Sequence, residues 1–152
     1  MKMEVETEIA APPHVVYATV TDIENWQTFI RGIERLEILN PGPLAVGTKF
    51  RETRTMLGRT ATEEMTVAAL TPPGRFDLTA ENHGTRYNAH HEITATVGGS
   101  RLKLVFEGTA VTLGAKLGML VGVLFKGAVK KQLQADMEDI KAEAERRARS
   151  PV

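Results

Sequence analysis

Five polar side chains that could do chemistry fall among apolar residues on strands predicted between residues 47 and 111. They are Glu52, Arg54, Glu63, Tyr87 and His91. Strand alternation assigns all five to the inner face of the sheet. A plain core has little use for two acids, a guanidinium, a phenol and an imidazole, because each must find a partner when it is buried. A wall that faces a ligand does use such groups, so the pattern predicts a small-molecule cavity.

The two acids and the arginine allow two interpretations. If the first hairpin turns at Gly58 and Arg59, then Arg54 lies opposite Glu63, and the two side chains form a structural ion pair within the sheet. Alternatively, Arg54 contacts an oxyanion of the ligand while Glu63 or Glu52 orients it. One arginine leaves one of the two carboxylates unmatched. Burial would raise the pKa of that carboxyl, which suits a general acid or base.

Tyr87 and His91 share one face of one predicted strand. A phenol donor and an imidazole base could polarise a carbonyl and move a proton, as an aldol cyclisation or a dehydration requires. The same two groups also serve as plain hydrogen-bonding groups on pocket walls. If the protein is an enzyme, its catalytic candidates are therefore His91, Tyr87 and Glu63.

Composition and charge exclude several other classes of function. His90 and His91 are neighbours on a strand and point to opposite faces, so they cannot chelate one ion; neither a metal nor another cofactor is predicted. Nineteen basic and nineteen acidic side chains cancel, which leaves no surplus for binding nucleic acid. The absence of cysteine excludes thiolate chemistry and disulfides.

The elements that must position these side chains can be predicted from alternation and turn residues. Residues 2–10 alternate as a strand with three glutamates outside, and two short helices follow, the first of them after Pro12 and Pro13. Five strands then run from Gly47 to Val111. Their tight turns are placed at Gly58-Arg59, His83-Gly84 and Gly98-Gly99. These turns pair Phe50 with Val67, Phe76 with His91, and Ile93 with Leu104.

The chain after Val111 changes to a helical period of about 3.6 residues and predicts one long amphipathic helix. An apolar stripe in its first half is either core or a contact with a partner subunit or a membrane surface, which leaves a homodimer open; it comprises Leu117, Leu120, Val121, Leu124 and Phe125. The apolar run 117–125 is far shorter than the roughly 20 residues that cross a bilayer. No signal-peptide pattern opens the chain, so a cytoplasmic location is expected. Residues 1–148 are predicted to form a single domain and residues 149–152 a disordered tail.

Five segments carry a resemblance to a known family. They are the strand-to-helix junction 6–12 (Glu-Thr-Glu-Ile-Ala-Ala-Pro), the following helix 15–18 (Val-Val-Tyr-Ala), the run 22–26 (Asp-Ile-Glu-Asn-Trp), and the turn-containing segments 47–51 and 70–76. With the order of elements, they resemble the helix-grip fold of the START and birch-pollen-allergen superfamily. Within it, the chain is most similar to the bacterial polyketide cyclase/dehydrase group. The resemblance implies an α+β helix-grip fold: a curved antiparallel sheet of six to seven strands around a long C-terminal helix, with two short helices after the first strand.

The resemblance also implies a cavity between sheet and helix for hydrophobic molecules such as lipids or polyketides. Three hypotheses of function follow. The first is a binding or carrier protein for a hydrophobic or amphipathic small molecule. The second is a cyclase or dehydratase that uses a pocket His or Glu as acid or base and a Tyr or Arg as oxyanion donor, and the third is a protein-interaction module that uses the helix stripe. The expected ligand-binding residues are Trp26, Phe50, Glu52, Arg54, Glu63, Met65, Phe76, Tyr87, His91 and Phe106.

Overall fold

A computed structural model of the protein describes residues 1–56, 58–82, 84–110, 112, 114 and 126–150. Within these residues the elements follow in the order β1 (Lys2–Ile9), α1 (Pro13–Val20), a 3-10 helix (Ile23–Asn25), α2 (Trp26–Phe29), β2 (Arg35–Ile38), β3 (Lys49–Met56), β4 (Arg59–Thr71), β5 (Arg75–Asn82), β6 (Thr85–Thr96), β7 (Gly99–Ala110) and α3 (Lys126–Arg149).

The strands of the described residues form one antiparallel sheet with the spatial order β1-β7-β6-β5-β4-β3-β2. Consecutive strands from β2 to β7 are neighbours, and β1 returns to pair with β7. In β1, Met3, Val5 and Ile9 are buried while the glutamates between them are exposed, as alternation predicts. The α+β helix-grip architecture is therefore confirmed, with seven strands in the described residues.

Two of the three predicted hairpin registers are wrong by two residues. Phe50 pairs with Met65 and not with Val67, because Met56 and Arg59 flank the turn and Gly58 lies inside it with φ 76°. In the same way Ile93 pairs with Leu102 and not with Leu104. The predicted pairing of Phe76 with His91 is confirmed. Each error moves the turn by one residue and the partner by two, so every side chain keeps its predicted face.

Helix α3 packs against β1 and α1 and covers one end of the sheet. Its buried residues Met137, Ile140 and Ala144 join Val16 and Val20 of α1 in the core. Two polar contacts fix the outer edge: the ammonium of Lys141 donates to the carbonyl of Glu8 (2.7 Å), and the carboxylate of Glu145 accepts from the backbone amide of Ala10 (2.8 Å).

Helix α3 runs to Arg149, and the Ser150 hydroxyl donates to the carbonyl of Arg146 (3.1 Å). The apolar stripe of residues 117–125 lies outside the described residues, and the homodimer that depends on it stays a prediction. In the described part of the chain, none of the helices is both long and apolar enough to span a membrane.

Candidate functional site

A cavity of about 700 Å³ lies between the sheet and α3. Strands β3 to β7 supply most of its wall, and α3 supplies the opposite side. The apolar part of the wall includes Met56, Met65, Leu78, Ala89, Phe106 and Leu133. This volume is within the range of cavities that enclose small organic ligands.

One side of the cavity carries an ion cluster centred on Arg54 of β3. Its Nε donates to Oε1 of Glu52 at 3.0 Å, and its Nη1 lies 2.9 Å from Oδ2 of Asp136 on α3. All three side chains are largely buried, with 17%, 12% and 14% of their surface exposed. The cluster therefore joins the sheet to the helix across the cavity wall.

Burial changes how readily these groups ionise. Desolvation raises the pKa of Glu52 above its ordinary value, and the nearby Arg54 only partly opposes this effect. Desolvation likewise raises the pKa of Asp136, again against the influence of Arg54. Burial works against the charge of Arg54, but the two carboxylates raise its pKa, so it stays a cation. In the described residues, Oε2 of Glu52 is buried without a hydrogen-bond partner.

The loop between α2 and β2 closes over this cluster. A Cβ on Gly32 would lie 2.9 Å from Nη1 of Arg54, which is too close for the two groups to coexist without movement. Next to it, the backbone amide and the guanidinium of Arg31 both donate to the carboxylate of Asp139 on α3 (2.9 and 3.1 Å). The loop is thus attached to the helix, and the absence of a side chain at Gly32 makes room for Arg54.

Two further polar groups lie on the sheet side of the cavity. Glu63 is directly opposite Glu52 across the β3–β4 ladder, and its Oε1 accepts a long contact of 3.4 Å from the amide of Asn82. The ring of Tyr87 stacks on Phe106, with centroids 5.7 Å apart and an interplanar angle of 24°. Burial raises the pKa of Tyr87, so its hydroxyl stays protonated at neutral pH and can donate a hydrogen bond.

The ten predicted ligand-binding residues separate into two groups. Six line the cavity: Glu52, Arg54, Glu63, Met65, Tyr87 and Phe106. The other four lie in the packed core instead: Trp26, Phe50, Phe76 and His91.

The aromatic core explains why those four are not part of the cavity wall. The indole of Trp26 makes T-shaped contacts with Phe50 and Phe76, with centroids 5.5 and 6.4 Å apart, and its Nε1 donates to the carbonyl of Val20. His91 packs on Phe76 at 5.1 Å and is 6% exposed. Its Nδ1 donates to the carbonyl of Phe76 at 3.1 Å, and burial lowers its pKa to about 4. His91 is therefore a neutral core residue outside the cavity wall, so the prediction that it contacts a ligand there is wrong.

The predicted ion pair between Arg54 and Glu63 is wrong. Arg54 lies opposite Ala61, because the hairpin register differs by two residues. Its actual partners are Glu52, two residues away on the same strand, and Asp136 from the other end of the sequence. The carboxylate left without a cation is Glu63, and the described residues place no basic group at ion-pair distance from it.

Asp136 and Gln132 line the cavity but were not among the predicted residues. A signal for both was present, because they are four residues apart on the long helix and alternate with Leu133, Met137 and Ile140. Polar residues inside the apolar stripe of a helix indicate either a buried ion pair or a cavity wall. Among the described residues, acidic and histidine side chains form no group that could hold a metal ion.

Comparison with known families agrees with this geometry. Residues 1–145 match the protein family described as polyketide cyclase / dehydrase and lipid transport. The chain belongs to this family. No curated protein has a matching sequence.

Several solved structures share the fold of this family member. The ZhuI aromatase/cyclase from Streptomyces sp. R1128 matches with a TM-score of 0.81 and 18% identity, covering 99% of this chain and 96% of that one. Ara h 8.0201 matches with a TM-score of 0.69 and 18% identity, covering 95% and 97%. The di-domain ARO/CYC StfQ from the steffimycin biosynthetic pathway has a TM-score of 0.78 and 17% identity, covering 97% of this chain and 52% of that one. At these identities the likeness establishes the helix-grip fold.

Proposed function

We propose that this protein binds a hydrophobic or amphipathic small molecule, lipid- or polyketide-like in character, between its sheet and α3. The observation that carries the proposal is the cavity of about 700 Å³. Protein interiors are normally packed to the density of organic crystals, and a space of this size is not left empty for the sake of stability. Its mostly apolar wall with a few convergent polar groups is typical of ligand sites.

The polar groups would orient the ligand. The apolar body contacts Met65, Leu78 and Phe106, while its polar end is placed near Glu63 and Tyr87. Arg54 is held by two carboxylates, so it stiffens the wall rather than moving to meet the ligand. The family description, which includes lipid transport, agrees with a binding role.

The test is a fluorescence titration with hydroxyanthracene, whose emission reports transfer from water into an apolar site. We expect saturable binding to the wild-type protein. The variant Ala89→Phe places a large side chain on the cavity wall and should weaken binding at least about tenfold. Ala95→Phe is the matched control, because Ala95 lies on the same strand but outside the cavity wall and is exposed.

Two results would contradict the binding proposal. One is the absence of saturable binding to a folded wild-type protein. The other is equal binding by wild type and Ala89→Phe when both show the same circular dichroism and unfolding midpoint, since the dye would then be bound elsewhere.

A second candidate function is acid–base catalysis in the same cavity. It is favoured by the raised pKa of Glu52 and of Asp136, which brings these carboxyls closer to the range in which they exchange protons at neutral pH. In a dehydration, a carboxylate would take the proton next to a carbonyl, and a protonated acid would deliver a proton to the departing hydroxyl so that water leaves. Tyr87 would donate to the carbonyl oxygen.

The catalytic candidate can be separated from the carrier with a benzylic β-hydroxy ketone, whose dehydration to a conjugated enone is followed by ultraviolet absorption. An enzyme increases the rate above the buffer rate, and Asp136→Asn and Tyr87→Phe reduce it. A carrier that binds the ketone without increasing the rate would remove this candidate.

A further inference from the structure

We propose that the polar side of the cavity selects ligands that donate a hydrogen bond, hydroxylated molecules in particular, and rejects molecules that carry a carboxylate. This inference rests on the proposed binding function and names the class of ligand. It reverses the simplest expectation for a buried arginine, which is that it attracts an anion.

The first observation is that Arg54 is already neutralised. Glu52 contacts its Nε and Asp136 contacts its Nη1, both within 3.0 Å. These contacts come from two directions, one along the same strand and one from α3. The guanidinium therefore faces two carboxylates before any ligand arrives, and an incoming anion would meet their field as well as that of the arginine.

The second observation is that Glu63 has no cation. Among the residues that the structure describes, its hydrogen-bond partner is the side-chain amide of Asn82, at 3.4 Å, which is near the limit of a hydrogen bond. The carboxylate lies on the cavity wall, which Tyr87 also lines, and is opposite Glu52 on the neighbouring strand. A carboxylate can accept several hydrogen bonds, so Glu63 retains free acceptor capacity that a ligand hydroxyl can use.

The charges on the wall are arranged so that its polar side favours a donor. Three carboxylates line the cavity, those of Glu52, Glu63 and Asp136. The cations on the wall are Arg54, which two of these carboxylates already contact, the exposed Arg59, and the N-terminal ammonium of Met1, which donates to the carbonyl of Gly108 at 3.0 Å. Water screens the charge of the exposed arginine more than it screens the buried groups. Next to Glu63 and Glu52 a ligand carboxylate would therefore meet repulsion, whereas a neutral donor meets acceptors.

The experiment compares three ligands with one apolar body: anthracene, hydroxyanthracene and anthracene carboxylate, with both substituents at the same ring position. Dissociation constants are measured at neutral pH by fluorescence. We expect hydroxyanthracene to bind at least about tenfold more tightly than the carboxylate, with anthracene in between, because a free acceptor favours the donor and like charges oppose the anion. Carboxylate binding that equals or exceeds that of the alcohol would overturn the inference.

A pair of variants assigns the preference to Glu63. Glu63→Gln keeps the size and removes the charge, and we expect the preference for alcohol over carboxylate to fall at least about threefold. Glu64→Gln is the matched control, because Glu64 is the next residue of the same strand, is exposed, and pairs with Arg51 on the other face. An unchanged preference in Glu63→Gln would overturn this assignment.

The two proposals fail in different ways. If none of the three compounds binds, the proposed binding function fails. If all three bind in the cavity but the carboxylate binds best, the binding function stands and the donor preference is wrong. Loss of binding in Ala89→Phe shows that the compounds occupy the cavity in either case.

Discussion

At the scale of single residues, Arg54 occupies a largely buried position between two carboxylates. Removing a guanidinium and two carboxylates from water is costly, and the cost is recovered only while their contacts are intact. Each of the two short contacts depends on a different element, β3 for Glu52 and α3 for Asp136. Loss of the arginine would leave two buried acids facing each other without a cation.

Replacing Arg54 by methionine should therefore destabilise the fold by about 3–5 kcal/mol near neutral pH. The carboxyl groups of Glu52 and Asp136 already have a raised pKa in the folded state, so the native protein holds protons that the unfolded chain releases as the pH rises. Without Arg54 this effect grows, and the loss of stability should be larger near neutral pH than in mild acid. Urea unfolding at both pH values measures it.

The control for this variant is Arg51→Met, on the opposite face of the same strand, where the side chain is exposed and pairs across the ladder with Glu64. The Arg51→Met substitution should lower the free energy of unfolding by no more than about 0.5 kcal/mol at either pH. Equal costs for the two variants would show that the cluster around Arg54 carries no special share of the stability.

His91 allows a pH prediction of the opposite sign. Burial lowers its pKa to about 4, whereas an unfolded histidine titrates near 6.5. As the pH falls through the range between these two pKa values, the unfolded chain binds a proton that the native state does not bind. The free energy of unfolding therefore falls by up to about 3 kcal/mol. The variant His91→Gln should lose this component of the pH dependence, as measured by urea unfolding.

His14→Gln provides the comparison for His91, since His14 is exposed on α1 and its replacement removes an imidazole without touching the core. The imidazole itself can be followed by NMR. A titration midpoint for His91 in the ordinary histidine range would contradict its place in the core.

The face of each predicted ligand residue could be predicted from the sequence, but not its position along the sheet. Alternation assigns Phe76, His91 and Tyr87 to one side, and all three are on that side. Different helices cover this face of the sheet at its two ends. Helix α1 packs on β5, β6 and β7 and covers the end that holds Phe76 and His91. Sequence periodicity contains no information about which helix covers which end, so the core and the cavity could not be separated.

At the scale of elements, the two register errors have a related cause. A hairpin shifted by two residues puts every side chain on the same face as before, so the apolar pattern cannot distinguish the two alternatives. The positive φ of Gly58 at the second position of its turn decides between them. The same ambiguity explains why Asp136 is not predicted as a partner of Arg54. The predicted pairing with Glu63 already gives the arginine a partner within the sheet, so the sequence does not require one on the helix.

The loop between α2 and β2 is sensitive to the addition of a single methyl group. Gly32→Ala should push Nη1 of Arg54 away from its place, since the added Cβ would come within 2.9 Å of it. The guanidinium is held by two carboxylates and cannot move freely, so we expect a loss of about 1–3 kcal/mol. The unfolding midpoint in urea measures this loss.

Gly98→Ala is the matched control for Gly32→Ala, because a Cβ at Gly98 would have no atom within 4 Å. The two substitutions add the same methyl group, and only one should affect stability. Equal midpoints for the two variants would show that the contact between the loop and Arg54 does not constrain the cluster.

At the scale of the whole molecule, the fold has a packed end and an open end. The helices α1 and α2, α3 and the aromatic core around Trp26 fill one end. At the other, the space of about 700 Å³ is left between the sheet and α3. The filled end can supply the stability, which allows the open end to be shaped for a ligand.

Four methionines can distinguish the open end of the fold from the packed end. Met56 and Met65 line the cavity, whereas Met3 and Met137 are buried in the core with 4% and 1% exposure. Their methyl groups can be labelled with carbon-13 and observed by NMR while hydroxyanthracene is added. The aromatic body of the ligand shifts the resonance of any methyl group that it touches.

We expect the methyl signals of Met56 and Met65 to shift in a saturable way and to show intermolecular nuclear Overhauser effects to the ligand, while those of Met3 and Met137 stay within about a line width. Binding that leaves Met56 and Met65 unchanged, or no binding to the folded protein, would contradict the claim that this cavity is a ligand site.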